Sequence, residues 1–290
     1  MLRAACQVAV VPVDPIGGIW SAPPVARTSA PTKGNVQMSL SGRVAIVTGG
    51  GRGIGRAIAL GLAADGAQVA VNFRKDEESA KQTVATIEAE GGTASAYQAS
   101  VASFDEASGM VERVLADFGH VDILVNNAGI TNRGTPVAKT PVEELERVVG
   151  TMAFGSHHMS QLVLASMREQ ARGDIVMISS QSAITADPYG GPYNMAKAAQ
   201  ESLAFTLAKE EARSGIRVNV VVPGLSNTDM GRRLVKAAMK VDDIHDLDAR
   251  FPLGRVCEPE DVAAAVRFLV GDGGSNITGQ RLVVDGGGFK

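Results

Sequence analysis

Residues 189–197 read YGGPYNMAK. On a helix, Tyr193 and Lys197 stand one turn apart on a common face. A free tyrosine ionises near pH ~10. An ammonium beside it favours the phenolate and brings that value down. The pair therefore predicts a tyrosine able to give or take a proton near neutral pH. The YxxxK spacing alone is common on helix surfaces. Its weight comes from ISS (178–180), where Ser180 closes a strand-like run. A strand-end hydroxyl and a helical tyrosine can meet at the C-terminal edge of a doubly wound sheet, where such folds bind ligands.

TGGGRGIG (48–55) is the second stretch with chemical content. It follows a short apolar run and opens a helical one. Gly49, Gly53 and Gly55 carry no Cβ where the chain must turn tightly and admit a pyrophosphate. The helix behind them offers amide donors and a positive dipole end. With Thr48, Arg52 and Ile54 they form a candidate dinucleotide cradle. The strand–turn–helix setting makes the signal specific, which a lone glycine pattern is not. An acid usually receives the ribose 2′-hydroxyl at the end of the second strand. Here VNFRKD places Phe73 and Arg74 there. Two guanidinium groups, Arg52 and Arg74, suit a 2′-phosphate. NADP(H) is favoured over NAD(H), with dual use left open. The plain alternative makes Arg74 a solvated charge ahead of a helix starting at Asp76.

These residues need a scaffold, and the chain predicts one. RVAIVT (43–48), QVAVNF (68–73), TASAYQ (93–98), DILVNN (122–127), DIVMIS (174–179), IRVNVVVP (216–223) and QRLVVD (280–285) read as strands. Several are apolar without alternation, as strands covered on both faces should be. Helical stretches lie between them at 54–64, 76–90, 104–118, 142–169, 191–213 and 259–270. This order predicts an α/β fold: a single Rossmann-type, doubly wound domain with a seven-stranded, mainly parallel sheet and right-handed crossovers.

Composition narrows the function classes. The 290 residues are 45% hydrophobic with a net charge of −3, which argues against a general nucleic-acid binder. Cys6 and Cys257 are far apart and fit neither a disulfide framework nor a zinc pattern, so no metal site is expected. No apolar run approaches the ~20 residues of a membrane span. A cytoplasmic protein is the simple reading. Residues 1–38 differ in being rich in Pro, Ala, Gly and Ser. Arg3, Arg27 and Lys33 with few acids allow a transit peptide. The prolines oppose an amphipathic helix, so a disordered N-terminal extension, or a start at Met38, is preferred. Residues 39–290 then form the domain.

Taken together, these motifs resemble the short-chain dehydrogenase/reductase family across about residues 39–290. TGGGRGIG, NNAG (126–129), ISS, YNMAK, PG (223–224) with Thr228, and ITGQRLVVDGG (277–287) fall in the family's order. The similarity is greatest to 3-oxoacyl-carrier-protein reductases. The resemblance implies that Tyr193 is the acid/base, that Lys197 binds the nicotinamide ribose and tunes Tyr193, and that Ser180 holds the substrate oxygen. It implies that Ser100, Val101, Asn126, Ala128 and Gly129 line the adenine-ribose side, Asn126 also steadying the sheet. Pro223, Gly224, Ser226 and Thr228 would border the nicotinamide and pyrophosphate. The implied reaction is hydride transfer to a carbonyl, either a small molecule or an acyl thioester. An acyl-carrier protein is a candidate partner, and a homotetramer built through helices 142–169 and 191–213 is expected. A sugar, steroid or other secondary alcohol is the alternative substrate, and a dinucleotide-binding sensor with little catalysis the alternative class.

Two positions depart from the family's pattern. Ser100 stands where an acid usually contacts adenine. Met152, in VGTMAFGSHH (149–158), stands where the resemblance implies an asparagine that relays protons to the lysine. A thioether is a weak acceptor, so a drier wall and an altered proton path are expected, with Met152 projecting toward Lys197. His157 and His158 are adjacent and point about 100° apart on a helix, which excludes a shared ligand site. One should face outward and the other pack. Residues 225–254 occupy the place of a substrate-covering segment. Arg232, Arg233, Lys236 and Lys240 there can meet an acidic carrier or a CoA phosphate, although Asp242, Asp243, Asp246 and Asp248 offset them.

Overall fold

Strands β1 (Val44–Val47) and β5 (Gly173–Ile178) are buried at every residue, as is β6 (Ile216–Pro223). Such runs need cover on both faces, and helices supply it. In β1, Ala45 and Val47 face one apolar layer with Ile58, Leu62 and Leu269, while Val44 and Ile46 face another with Met110, Met159 and Leu207. Each fully buried aliphatic of this kind contributes about 1.5–3 kcal/mol. The computed structural model describes residues 39–288. The expected extension at 1–38 lies outside the described residues.

The remaining strands are β2 (Gln68–Phe73), β3 (Thr93–Gln98), β4 (Ile123–Asn126) and β7 (Arg281–Val284). Their order is β3-β2-β1-β4-β5-β6-β7, and every pairing is parallel. The expected sheet is thus present and wholly parallel. β1 pairs with β2 on one side and β4 on the other. That reversal of strand order opens the crevice in which doubly wound folds take ligands.

The helices are α1 (Gly53–Ala64), α2 (Glu77–Ala89), α3 (Phe104–Phe118), α4 (Val142–Val149), α5 (Gly155–Arg168), α6 (Ser182–Thr185), α7 (Gly191–Glu211), α8 (Asp229–Met239) and α9 (Pro259–Val270). One difference from expectation bears on the site. The stretch 142–169 is not one regular helix, because a π turn at Gly150–Phe154 separates α4 from α5. Such turns widen the backbone spiral locally and recur at functional sites. Met152 lies within it. The short α6 has too few residues to show a periodicity, so the sequence did not predict it.

Candidate active site

The glycine loop is shaped by its own neighbours as much as by any ligand. Gly49 and Gly53 have φ of +63° and +53°, a region that favours glycine. Gly55 is required for a different reason: a Cβ there would lie 2.5 Å from Asn127 Nδ2 and against the Gly49 carbonyl. Asn127 Nδ2 donates to the carbonyls of Thr48 (2.8 Å) and Gly49 (3.2 Å). The Thr48 hydroxyl accepts from the amides of Asn127 and Ala128, both at 2.9 Å. Asn127 therefore ties the end of β4 to the loop, a role the sequence reading missed. The doubled asparagine in NNAG was its only signal.

Helix α1 starts behind Arg52 with no side-chain cap and no acid in its first turn. Its leading amides are left to an anion, as a pyrophosphate requires. A Cβ on Gly53 would lie 3.3 Å from Thr228 Cγ2, so the loop abuts the start of α8. Thr228 caps that helix by accepting from the Gly231 amide at 3.0 Å. Ile54 packs beside the core under the loop. Pro223 ends β6, Gly224 donates its amide to the Val284 carbonyl, and Ser226 Oγ donates to the Gly224 carbonyl. These residues fit a bound dinucleotide.

At the far end, Phe73 is buried and Arg74 exposed. Arg52 and Arg74 share no partner among the described residues. Arg52 lies 3.7 Å from Asp76, which caps α2 by accepting from the Ser79 amide. The Arg74 carbonyl accepts from Gln98. Asp76 thus competes for Arg52. The Ser100 amide donates to Glu106 at 2.9 Å. Val101 is buried, and its carbonyl lies 3.1 Å from His158 Nδ1. The Asn126 side chain turns into the core and donates to Ser160, so steadying the sheet is the part of its expected role that the geometry supports. Gly129 faces Met152, whose sulfur would lie 3.4 Å from a Cβ there.

Ser180, Tyr193 and Lys197 do come together beyond the C-terminal end of β5. Ser180 accepts from the Ser182 amide at 3.2 Å, which anchors its hydroxyl at the start of α6. Tyr193 is half-buried. Lys197 is 3% exposed and donates to the Ile178 carbonyl at 2.5 Å and to Gln200 Oε1 at 3.1 Å. Its nitrogen lies 5.8 Å from the Tyr193 ring centre. Burial pushes the Tyr193 phenol up from its ordinary value, and the Ser180 hydroxyl opposes that push. This reverses the expected lowering by Lys197, because desolvation disfavours phenolate and the ammonium is turned toward Ile178 and Gln200. Burial also brings Lys197 down to about 8, against the raising charge of Glu201.

Met152 is fully buried, in a small apolar cluster with Val148, Ala196 and the edge of Tyr193. Its side chain adds only apolar surface to that cluster. His157 is exposed, and His158 packs edge-on against Phe104. Among the described residues no group of three or more His, Cys, Asp or Glu could hold a metal ion. On α8, Arg232 pairs with Asp229, and Lys236 pairs with Asp242 beyond the helix.

A strand-end serine, a helical Tyr–Lys pair and a glycine cradle at one sheet edge point to a dinucleotide oxidoreductase. A family model described as enoyl-(acyl carrier protein) reductase matches residues 49–288. The chain belongs to the short-chain dehydrogenase/reductase family. Among members of this family, a 3-oxoacyl-[acyl-carrier-protein] reductase of Synechocystis sp. is 39% identical over 250 residues, which is 86% of this chain and 98% of that protein. A solved 7α-hydroxysteroid dehydrogenase complexed with NADH and 7-oxo glycochenodeoxycholic acid is 32% identical, with a TM-score of 0.81 and coverage of 89% of this chain and 98% of that one. A solved short-chain dehydrogenase of Burkholderia cenocepacia in complex with NADP is 37% identical, with a TM-score of 0.79 and coverage of 87% and 99%. This short-chain dehydrogenase/reductase is an oxidoreductase similar to 3-oxoacyl-[acyl-carrier-protein] reductases. No helix among its described residues is long and apolar enough to cross a membrane.

Proposed function

We propose that this oxidoreductase uses NADPH to reduce the carbonyl of a 3-oxoacyl thioester or related ketone to a secondary alcohol. The observation that carries the reading is the proximity of Tyr193 to both Ser180 and Lys197 beyond the C-terminal end of β5. Ser180 holds the substrate oxygen. Tyr193 donates the proton to that oxygen, and a phenol whose pKa is raised by burial is protonated at neutral pH and able to donate. Lys197 holds the nicotinamide ribose and supports the phenolate as it forms. The glycine loop and the first turn of α1 hold the pyrophosphate. Arg52 and Arg74 receive the 2′-phosphate, and the NADP complex of the Burkholderia relative supports that preference. When bound, the nicotinamide supplies the hydride.

A steroid or sugar substrate is the second reading, favoured by similarity to the 7α-hydroxysteroid dehydrogenase. Assembly as a homotetramer belongs to the same proposal and rests on the resemblance, and a cytoplasmic location rests on the sparse, widely spaced cysteines. The deciding experiment follows NADPH and NADH oxidation with acetoacetyl-CoA, acetoacetyl-carrier protein, steroid ketones, sugars and diketones. Turnover with the acyl thioesters and NADPH is expected. Tyr193→Phe should lower kcat by at least about a thousandfold while NADPH binding persists. Turnover retained in that variant overturns the assignment of Tyr193. Tight NADPH binding without turnover on any carbonyl makes the protein a sensor.

A further inference from the structure

Gln200 is fully buried in the middle of α7, one turn beyond Lys197. A primary amide in such a place must satisfy an acceptor and two donors. Its Nε2 donates to Ser156 Oγ on α5 at 2.7 Å and to the Asn126 carbonyl at the end of β4 at 3.4 Å. Both donors are thereby turned away from Lys197, and Oε1 is left facing the ammonium at 3.1 Å. Rotating the amide would set its hydrogens against a cation and its oxygen against a carbonyl. Asn126 and Ser156 therefore fix which end of Gln200 meets the lysine.

The other walls offer the ammonium little. Met152 in the π turn, Val148 and Ala196 form an apolar cluster against Tyr193, its ring neighbour, and bring no acceptor of their own. The Ile178 carbonyl is the second protein acceptor. The titratable and charged groups around Lys197 are Tyr193 and Glu201 on α7. Glu201 is already engaged by Ser179 of the β5 edge and by Arg281 of β7. From α5 and β4 come Ser156 and Asn126, which carry no charge.

We propose that Gln200 is a positioning residue for Lys197, holding its ammonium in place and charged from within the same helix. An amide suits this task where a carboxylate does not. It accepts a hydrogen bond without cancelling the positive charge that the Tyr193 phenolate and the ribose require. The catalytic meaning of the inference rests on the function proposed above, but the coupling of Gln200 to Lys197 does not.

The test is a titration of Lys197 by its 13Cε resonance in cofactor-free protein, assigned through Lys197→Arg, with Gln200→Leu and Gln200→Glu compared to wild type. Losing the acceptor in Gln200→Leu should lower the lysine pKa by roughly one unit, the equivalent of one charge-assisted hydrogen bond. Gln200→Glu should raise it. The pH dependence of kcat/KM should move in the same two directions. If Gln200→Leu fails to fold, the sign of the shift in Gln200→Glu decides. An unchanged Lys197 titration in the folded variants, or a shift of the same sign in both, overturns the proposal. The resonance requires neither cofactor nor turnover. Coupled titration in a protein that reduces no carbonyl therefore leaves the inference standing and removes only the proposed reaction.

Discussion

Burial acts on Tyr193 and Lys197 in the same sense, moving each toward its neutral form. For the lysine this has a measurable cost. Burial brings its pKa down to about 8 from an ordinary value of 10.5. Between those values the unfolded chain binds the proton and the fold does not. The stability contributed at this site therefore rises with pH across that window, and the full penalty applies below about pH 8. Lys197→Met removes the titration. Relative to that variant, wild type should gain roughly 2–3 kcal/mol between about pH 7 and pH 10 in denaturant unfolding. A difference that stays flat with pH would contradict the burial of a titrating ammonium. Tyr193, Lys197 and Ser180 were legible because their spacing is local and the motif order sets the strand ends. Gln200 was not read, although a polar residue three positions after Lys197 falls on the same helix face. Nothing in the chain announces that this face is buried, and an exposed glutamine there would look identical. The sign of the Tyr193 shift was also missed, because spacing reports the neighbour and not the desolvation.

At the scale of elements, the glycine loop is a joint between β1, α1 and the end of β4. Gly55 holds it together by allowing Asn127 and the Gly49 carbonyl to close against the helix. Gly55→Ala places a methyl group into backbone and a committed amide, neither of which can move freely. The expected effect is about 1–3 kcal/mol of lost stability and at least tenfold weaker NADPH binding in a fluorescence titration. Unchanged affinity would show that the loop has slack. Strands β2 and β3 could be bounded from sequence because β-branched and apolar runs end at polar turns. The π turn could not, because the hydrophobic pattern of 142–169 runs through it without a break. Five residues of wider spiral leave a periodicity that still reads as helix.

Across the whole molecule, chemistry and anchorage occupy opposite ends of the sheet. Ser180, Tyr193 and the glycine loop lie at the C-terminal ends of the strands. At the N-terminal ends, Asp174 is buried among three arginines, with Arg43 at 2.7 Å, Arg172 at 3.1 Å and Arg217 at 2.5 Å. Arg43 also donates to the Val270 carbonyl, and Arg172 to that of Gly271, so the cluster gathers the starts of β1, β5 and β6 and the end of α9. Asp174→Ala leaves guanidinium groups buried without their carboxylate. A loss of about 3–5 kcal/mol is expected, seen as a lowered urea midpoint. A loss under about 1 kcal/mol would mean that the helix-end carbonyls alone hold the arginines.

The all-parallel sheet also sets an order of assembly. No two neighbouring strands are joined by a tight hairpin, so each pairing waits for a crossover to be made. On a ribosome, β1 stays open on its second side until β4 has emerged, many residues later. β6 stays an uncovered edge until Arg281–Val284 arrive as β7. The same late strand brings Arg281 to Glu201, whose other oxygen receives the Ser179 hydroxyl beside Ser180. A nascent chain thus carries its complete set of reacting side chains well before it can hold them still. During that interval it presents a bare strand edge that a chaperone or a second nascent chain can occupy.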